Sequence, residues 1–412
     1  MGRYLWAEFL LFEALRLLIL YPTRHHGHRI VAFAAMICVA AQIFLTPHGA
    51  SPDQITSTYL VGVMTAFRLT FTTYLLFAEG FFPNHWRRVR DGVLAEPDAA
   101  GLDNTPSSFP RSKKLWWMLD IAHSTRMIGW VQEPRNCLPA HPPPSRREFL
   151  RETTLKFIVN FAIADLSGAV SARCPTFDSR FPHNSTYALK NALAAFPILH
   201  HAPYALAFGV MTGASLNAVH NIIALAFVGI GNSSPTLWPD MYGRWGDAYT
   251  VRKLWGRTWH QHMRPMVAGL GRLVANKILK FPPGTNRSSY AQLYIAFFIS
   301  AAIHFAGDFL SQQRMVYHSF KFFLLQAMAI TFEDFVIYIA KQFLPQKGIK
   351  INPGKADESW AGAIVRVMGY CWVTLWFSMT LPGWRDNTSA IGAAYQDLPL
   401  TQLSLGLWKR WT

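Results

Sequence analysis

Apolar residues gather in nine runs along the chain, separated by polar or by proline- and glycine-rich stretches. The runs cover approximately 4–21, 30–46, 57–80, 151–170, 188–208, 209–230, 290–310, 318–343 and 364–382. Most approach the roughly 20 residues that a helix needs to cross the hydrocarbon core of a bilayer. The pattern predicts an all-α polytopic membrane protein with about eight or nine membrane helices. It is read as one integral membrane domain over residues 1–412, with N-terminal helices and a cytoplasmic loop in 1–114. The first run contains Glu8, Glu13 and Arg16, which also suits an amphipathic helix lying at the interface.

The polar stretches give an orientation, because lysine and arginine accumulate in cytoplasmic loops. Residues 22–29 carry Arg24 and Arg29, and 47–56 carry only Asp53. Residues 83–114 carry Arg87, Arg88 and Arg90 at one end and Arg111, Lys113 and Lys114 at the other. This alternation places 22–29 and 83–114 in the cytoplasm. Residues 242–280 hold eight basic side chains against Asp247 alone, so they belong there too. The parity then fails if 151–170, 188–208 and 209–230 all cross. The expected solution is a re-entrant element within 188–230, which contains Pro197, Pro203 and Gly213. Non-helical backbone at membrane depth is tolerated only where protein or a cavity covers it.

Composition agrees with the membrane reading. The 412 residues are 51% hydrophobic and only 15% charged, against about 25% charged for a soluble domain. The net charge of +16 would suggest nucleic acid in a soluble protein. Here the basic residues cluster in loops between apolar runs, which points to anionic headgroups or an anionic co-substrate, with no nucleic-acid partner. Cys38, Cys137, Cys174 and Cys371 are widely spread, so no thiol metal site or redox pair is visible. The N-terminus has no signal-peptide cleavage pattern. Residues 91–111 read as a flexible loop, and the proline-rich segment from Pro139 to Pro144 as extended chain. Asn184-Ser-Thr and Asn387-Thr-Ser are glycosylation sequons in loops expected on the non-cytoplasmic side.

His304 stands in the middle of the apolar run 290–310. An ionisable group inside a membrane helix is costly and marks a candidate functional site. Helical spacing puts Ser300, His304 and Asp308 on one face, a pattern suited to a general base supported by polar neighbours. A histidine that only bonds another helix is the alternative. The second candidate is the basic, tryptophan-rich run Thr250-Val-Arg-Lys-Leu-Trp-Gly-Arg-Thr-Trp-His260-Gln-His-Met-Arg-Pro265. On one helix, Arg252, Gly256, His260 and Arg264 would share a stripe beside Trp255 and Trp259, giving an amphipathic surface helix. Its arginines would bind phosphate through paired contacts, or it anchors to headgroups alone. His25, His26 and His28 sit in a short basic turn, and His200 and His201 precede Pro203. Neither group has the spacing of a di-iron hydroxylase cluster, and no metal site is expected. No H-E-x-x-H, G-x-x-x-x-G-K-[ST] or G-x-S-x-G occurs.

Two motifs together resemble a known family. Ser234-Pro-Thr-Leu-Trp-Pro-Asp-Met-Tyr-Gly243 followed by Thr250 to His260 is similar to the wax synthase-like branch of the membrane-bound O-acyltransferases. That branch carries W-P-x-x-[FY]-G, then S-[LV]-R-x-F-W-[GS]-R-x-W-[HN], then a membrane histidine in S-G-x-x-H. Ser300-Ala-Ala-Ile-His304 matches the last, with Ala301 for the glycine. Arg126-Met-Ile-Gly-Trp130 resembles the R-G-[IV]-G-W element of fungal members, with Met127 for the glycine. Phe323 to Gln326, Glu333, Gly369 to Val373, Trp376 and Pro382 resemble the C-terminal helices. The resemblance spans roughly 115–382, which it implies is a wax synthase-like core, leaving 383–412 as a C-terminal tail.

The resemblance implies a helical fold around a central acyl-transfer chamber, with His304 as catalytic base and His260 as a second active-site polar residue. Acyl-CoA is the implied co-substrate, with no permanently bound cofactor. Arg252, Trp255, Arg257, Trp259 and Arg264 are the candidates to hold it, with Ser300 and Asp308 in support. The expected function is transfer of an acyl group, acetyl above others, to a hydroxyl of a lipophilic secondary metabolite of terpenoid or polyketide origin. A multi-pass protein of the endoplasmic reticulum membrane is expected. The alternatives are a wax-ester synthase using long-chain acyl-CoA and fatty alcohol and, from another class, a transporter. No inverted repeat supports the transporter.

Overall fold

The apolar runs fold into helices. The computed structural model describes residues 2–23, 27–47, 54–80, 89–90, 93–94, 106–133, 145–172, 197–231, 233–343 and 360–391. Helices α1 (Gly2–Leu20), α2 (Gly27–Leu45) and α3 (Ile55–Thr73) follow in short succession, and α3 runs on through a wide turn at Tyr74–Ala78. Then come α4 (Arg111–His123), α5 (Arg146–Ala172), α6 (Pro197–Gly229) and α7 (Arg264–Arg272). The last are α8 (Asn286–Gln312), α9 (His318–Phe343) and α10 (Trp360–Ile391). Val89–Arg90 and Val93–Leu94 form a minimal antiparallel pair.

The all-helical polytopic architecture is as expected, with seven candidate spans among the described residues instead of eight or nine. They are Gly27–Leu45, Ser57–Ala78, Arg146–Val170, Leu206–Gly229, Asn286–Gln312, His318–Gln342 and Gly362–Trp384. Their outward faces carry large apolar side chains, such as Leu155, Ile158 and Leu166 on α5, Phe332, Phe335 and Val336 on α9, and Val365, Val367 and Met368 on α10. Such faces suit hydrocarbon rather than water.

Two runs account for the difference. The charges of α1 point inward: Glu13 accepts from Arg16 at 2.7 Å and pairs with Arg68 of α3 at 3.0 Å. Arg16, 1% exposed, also donates to the Ala122 carbonyl of α4. These charges join α1 to its neighbours. The second difference is a correction. The described part of run 188–208, from Pro197, joins run 209–230 in one helix, α6 (Pro197–Gly229), and no re-entrant element is seen within it; residues 188–196 lie outside the described residues. Pro203 sits inside α6 without ending it, as prolines in membrane helices can. Gly213 is a seat and not a break. Its carbonyl accepts the Tyr242 hydroxyl at 2.9 Å, and a Cβ there would sit 3.6 Å from the Trp259 ring. Among the described residues, four candidate spans now precede 242–280. That even number removes the parity conflict.

Other expectations fall differently. In 91–111, Pro106–Ser108 forms a single tight turn, and most of the rest lies outside the described residues. So do 139–144, Asn184, His25 and His26. Helix α10 continues past Pro382 to Ile391, so Asn387 has helical backbone instead of lying in a loop.

The chain divides into two compact units, Met1–Cys137 with Gln261–Leu324, and Leu138–His260 with Leu325–Thr412. In the first, Phe12, Met36, Ile43, Phe71, Leu75, Ile121 and Trp130 pack with Met266, Ile303 and Leu310. Helices α3 and α8 cross closely at two glycines. A Cβ on Gly62 would lie 2.6 Å from the Ala306 carbonyl oxygen, and one on Gly307 would lie 2.7 Å from the Tyr59 ring. In the second unit, α6 lies along α5 and α10, with the Phe208 and Trp384 rings edge to face at 5.9 Å. Phe149, Ala224 and Val228 pack with Leu150 and Trp238, and Lys156 bonds Asp240 at 2.6 Å.

Candidate active site

In the first unit, His304 lies on α8, 18 residues past Asn286, roughly 27 Å along the axis at 1.5 Å per residue. The helix begins on a side-chain cap, with Thr285 accepting from the Ser288 amide at 3.3 Å. That cap satisfies one of the free donors of the first turn. Two groups hold the His304 ring. Tyr59 of α3 places its hydroxyl 3.1 Å from Nδ1. Phe323 of α9 stacks on the imidazole at 4.9 Å between ring centres and 15° between planes. The two expected supports have other partners. The Ser300 hydroxyl donates to the Ala296 carbonyl at 3.1 Å, and the buried Asp308 carboxylate accepts a short bond from Ser319.

In the second unit, the two halves of the tryptophan-rich motif form one knot. The Gly243 amide donates to the Thr258 carbonyl at 3.0 Å, and a Cβ at Gly243 would run into the Arg257 carbonyl. Only glycine permits this approach. Thr258, fully buried, donates from its hydroxyl to the Arg244 carbonyl at 3.2 Å. Tyr242 stacks on Trp245 at 5.7 Å and meets Trp259 edge-on at 5.6 Å. Burial pushes the Tyr242 phenol well above its ordinary pKa, so it stays a neutral donor to Gly213. Trp259 continues the row to Trp255 at 5.8 Å and to the His260 ring at 5.6 Å.

The continuous amphipathic helix expected over 250–265 is not formed, which is a further correction. Val251–Lys253 makes one helical turn, and Leu254–Thr258 a wider π turn. Trp259 is extended (ψ 154°), and α7 restarts at Arg264 with Pro265 in its first turn. Proline suits a helix start, where its missing donor costs nothing. Arg252, Gly256, His260 and Arg264 therefore do not share a stripe, and Arg264 belongs to the first unit, where it donates to Gln261 at 2.9 Å.

Residues far along the chain support the knot. Glu333 of α9 accepts from the Val251 amide at 2.6 Å, the Arg252 amide at 3.0 Å and the Trp372 indole at 2.8 Å. One carboxylate thus caps the turn and ties it to α10. A second indole, on Trp376, donates to Gln326 at 3.1 Å. Gly369 of α10 leaves room for the Tyr249 carbonyl, which a Cβ would overlap. Arg252 forms a two-pronged pair with Asp334, 3.1 Å on one prong. Asp334 therefore already neutralises the Arg252 charge. Arg257 and Arg244 are exposed, and the side chain of neither has a bonding partner among the described residues. They flank the Gly243–Thr258 contact and are open to an anion. Sequence reasoning missed Arg244, Tyr59 and Asp334, and reached Glu333 only through the resemblance of the C-terminal helices, without its role as a common acceptor. Among the described residues no group of histidine, cysteine and carboxylate side chains is arranged to hold a metal.

The model of the membrane bound O-acyl transferase family matches residues 238–325, which include both the knot and His304. Acetyltransferase ple2 of Rhodocybe pseudopiperita is 31% identical over 72% of this chain and 72% of its own. Acetyltransferase eriL of Hericium erinaceus is 30% identical over 77% of this chain and 79% of its own. Acetyltransferase sirH of Leptosphaeria maculans is 27% identical over 70% and 67%. No solved structure matches this chain.

Proposed function

The chain belongs to the membrane bound O-acyl transferase family, and within it we propose that it moves acetyl from acetyl-CoA to a hydroxyl of a lipophilic secondary metabolite, with His304 as general base. It is a multi-pass membrane acyltransferase. The observation that carries the finer reading is His304 itself, an imidazole inside an apolar span with its ring plane fixed by Phe323 and its Nδ1 facing Tyr59. An alcohol attacks a thioester slowly until a base takes its proton. In the proposed reaction, His304 takes the acceptor's proton as its oxygen bonds to the thioester carbonyl carbon. The tetrahedral oxyanion then collapses, the C–S bond breaks, and the proton passes from His304 to the leaving thiolate. His260, in line with the family pattern, assists as a hydrogen-bonding group at the developing charge.

The acyl donor is proposed to approach 242–280 from the cytoplasm of an endoplasmic reticulum membrane, where Arg257 meets its phosphates. The excess of cations in that segment and the even number of candidate spans before it among the described residues support this side. Acetyl is favoured because ple2, eriL and sirH are named acetyltransferases. The acceptor is proposed to be a hydroxylated terpenoid or polyketide-derived metabolite, with fatty alcohol as the second reading.

The test uses membranes containing the full chain, incubated with labelled acetyl-CoA and a panel of hydroxylated sesquiterpenes, diterpenes and polyketide lactones. Palmitoyl-CoA with 1-hexadecanol runs in parallel. Acetyl esters formed by wild type and lost in His304→Ala are expected. Faster formation of hexadecyl palmitate would favour wax-ester synthesis. Wild-type turnover in His304→Ala would sink the base assignment. His260→Asn should retain more activity than His304→Asn, because an amide still bonds but cannot take a proton.

A further inference from the structure

We infer that Tyr59 is a positioning residue for the reaction: its hydroxyl oxygen accepts the Nδ1 proton of His304 and leaves Nε2 as the nitrogen that faces the acceptor alcohol. The inference rests on His304 being the base. A neutral imidazole has one donor and one acceptor nitrogen. The partner of one nitrogen decides which role the other plays. Tyr59 Oη lies 3.1 Å from Nδ1, at hydrogen-bonding range. Without a fixed partner, a neutral ring divides between two tautomers, and only one presents a basic Nε2.

The fold builds this contact from both sides. Tyr59 stands on α3 and His304 on α8, 245 positions apart in sequence. Gly307 is one turn beyond His304. A Cβ there would lie 2.7 Å from two carbons of the Tyr59 ring and 2.5 Å from Val63, so the phenol lies directly over the bare α-carbon. Gly62 does the same for α3, facing the Ala306 carbonyl and the Gly307 α-carbon at 2.6 and 2.9 Å from its would-be Cβ. The pair of glycines brings the helices close enough for the phenol to cross from one to the other. Phe323 then blocks one face of the imidazole at 4.9 Å, which sets the ring plane while Tyr59 sets its rotation. During proton transfer both ring nitrogens carry hydrogen, and the phenol oxygen keeps its Nδ1–H partner throughout.

Tyr59→Phe keeps the ring and removes only the hydroxyl. The test measures kcat and both KM values per folded, monodisperse enzyme, using acetyl-CoA and the alcohol from the panel that is turned over fastest. By analogy with outer partners of ligating histidines, kcat should fall about 10-fold or more. KM for acetyl-CoA should stay within about twofold, and the solvent deuterium isotope effect on kcat should grow. In a His304→Ala background the same change should have no further effect. Should the phenylalanine variant fail to fold, 3,5-difluorotyrosine at position 59 keeps shape and hydroxyl but weakens the oxygen as an acceptor, and should lower kcat several-fold. Unchanged kcat in the folded variant overturns the proposal. A loss confined to KM, or one that persists fully in the His304→Ala background, does so too. His304→Ala separates the two readings. If it is inactive while Tyr59→Phe is normal, only the positioning role fails; if it is active, the base assignment fails first.

Discussion

Gly62→Ala measures how tightly α3 and α8 must cross. The added methyl would lie 2.6 Å from the Ala306 carbonyl oxygen and 2.9 Å from the Gly307 α-carbon, both backbone atoms that cannot swing aside. Tolerable contacts begin at about 3.0 Å and become ordinary at 3.4 Å, so the helices must part by roughly 0.4–0.8 Å at this point. If Tyr59 moves with α3, its 3.1 Å approach to His304 opens to about 3.5–3.9 Å, beyond the range of a useful hydrogen bond. Overpacking of this kind costs about 1–3 kcal/mol, and the lost neutral hydrogen bond about 0.5–1.5 kcal/mol. The assay has two readouts on detergent-purified full chain: apparent melting temperature and kcat with acetyl-CoA. Both should fall, with kcat falling towards the Tyr59→Phe value. Gly229→Ala is the control, since a methyl there meets nothing within 4 Å, and it should leave both unchanged. Wild-type melting and wild-type kcat in Gly62→Ala would refute the argument that this crossing sets the His304 geometry.

Arg257→Ala should raise KM for acetyl-CoA about 10-fold or more, by loss of a charge-assisted contact of roughly 1.5–3 kcal/mol. Arg252→Ala should act mainly on thermal stability, because Asp334 already holds that guanidinium; the opposite pattern in steady-state kinetics and melting would reverse the roles of the two arginines. Glu333→Ala leaves two amides and an indole without their common acceptor and should cost about 3 kcal/mol or more. Glu333→Gln should cost less, since its carbonyl can still serve Val251 and Trp372, and equal melting temperatures for the two variants would contradict this. Met127 has a left-handed backbone (φ 54°) and a fully buried side chain. Met127→Gly therefore trades a cavity of about 2–5 kcal/mol against relief of about 1–2 kcal/mol. Met127→Ala keeps the strain and makes nearly the same cavity, so glycine should melt above alanine and below wild type.

The sequence revealed what depends on local pattern and hid what depends on pairing. The spans were visible because each is a long apolar run, and His304 was visible because an imidazole in such a run is costly. Gly213 misled because a glycine in a helix looks the same whether it breaks the helix or seats another ring. Its role becomes clear only with Tyr242 and Trp259 beside it. The stripe over 250–265 failed for a geometric reason: a π turn at Leu254–Thr258 adds a residue to the turn, and the i+4 projection drifts out of register. Arg252 looked like a phosphate ligand because Asp334 lies 82 positions away, and Tyr59 looked like any tyrosine of a membrane helix.

Glycines mark the places where distant parts of the chain meet closely. Gly243 admits the Arg257 carbonyl, Gly369 admits the Tyr249 carbonyl, and Gly307 admits the Tyr59 ring. Gly243 adjoins Arg244, a candidate anion contact, and Gly307 lies one turn from His304, while Gly369 lies three residues from Trp372, which ties Glu333 to α10. A side chain on an apolar helix can be aimed to a few tenths of an ångström only if the opposing backbone is close, and closeness of that degree requires a residue without a Cβ. The position where the family pattern has glycine and this chain has Met127 follows the same logic in reverse. Its backbone lies in the left-handed region that glycine favours, and its side chain is buried in the same core cluster as Trp117 and Trp130. The turn at 124–130 thus adopts a left-handed backbone at a residue that is not glycine. The same turn holds Thr125 with its hydroxyl 3.1 Å from His262 Nδ1, so relaxing the backbone at Met127 should also disturb that contact.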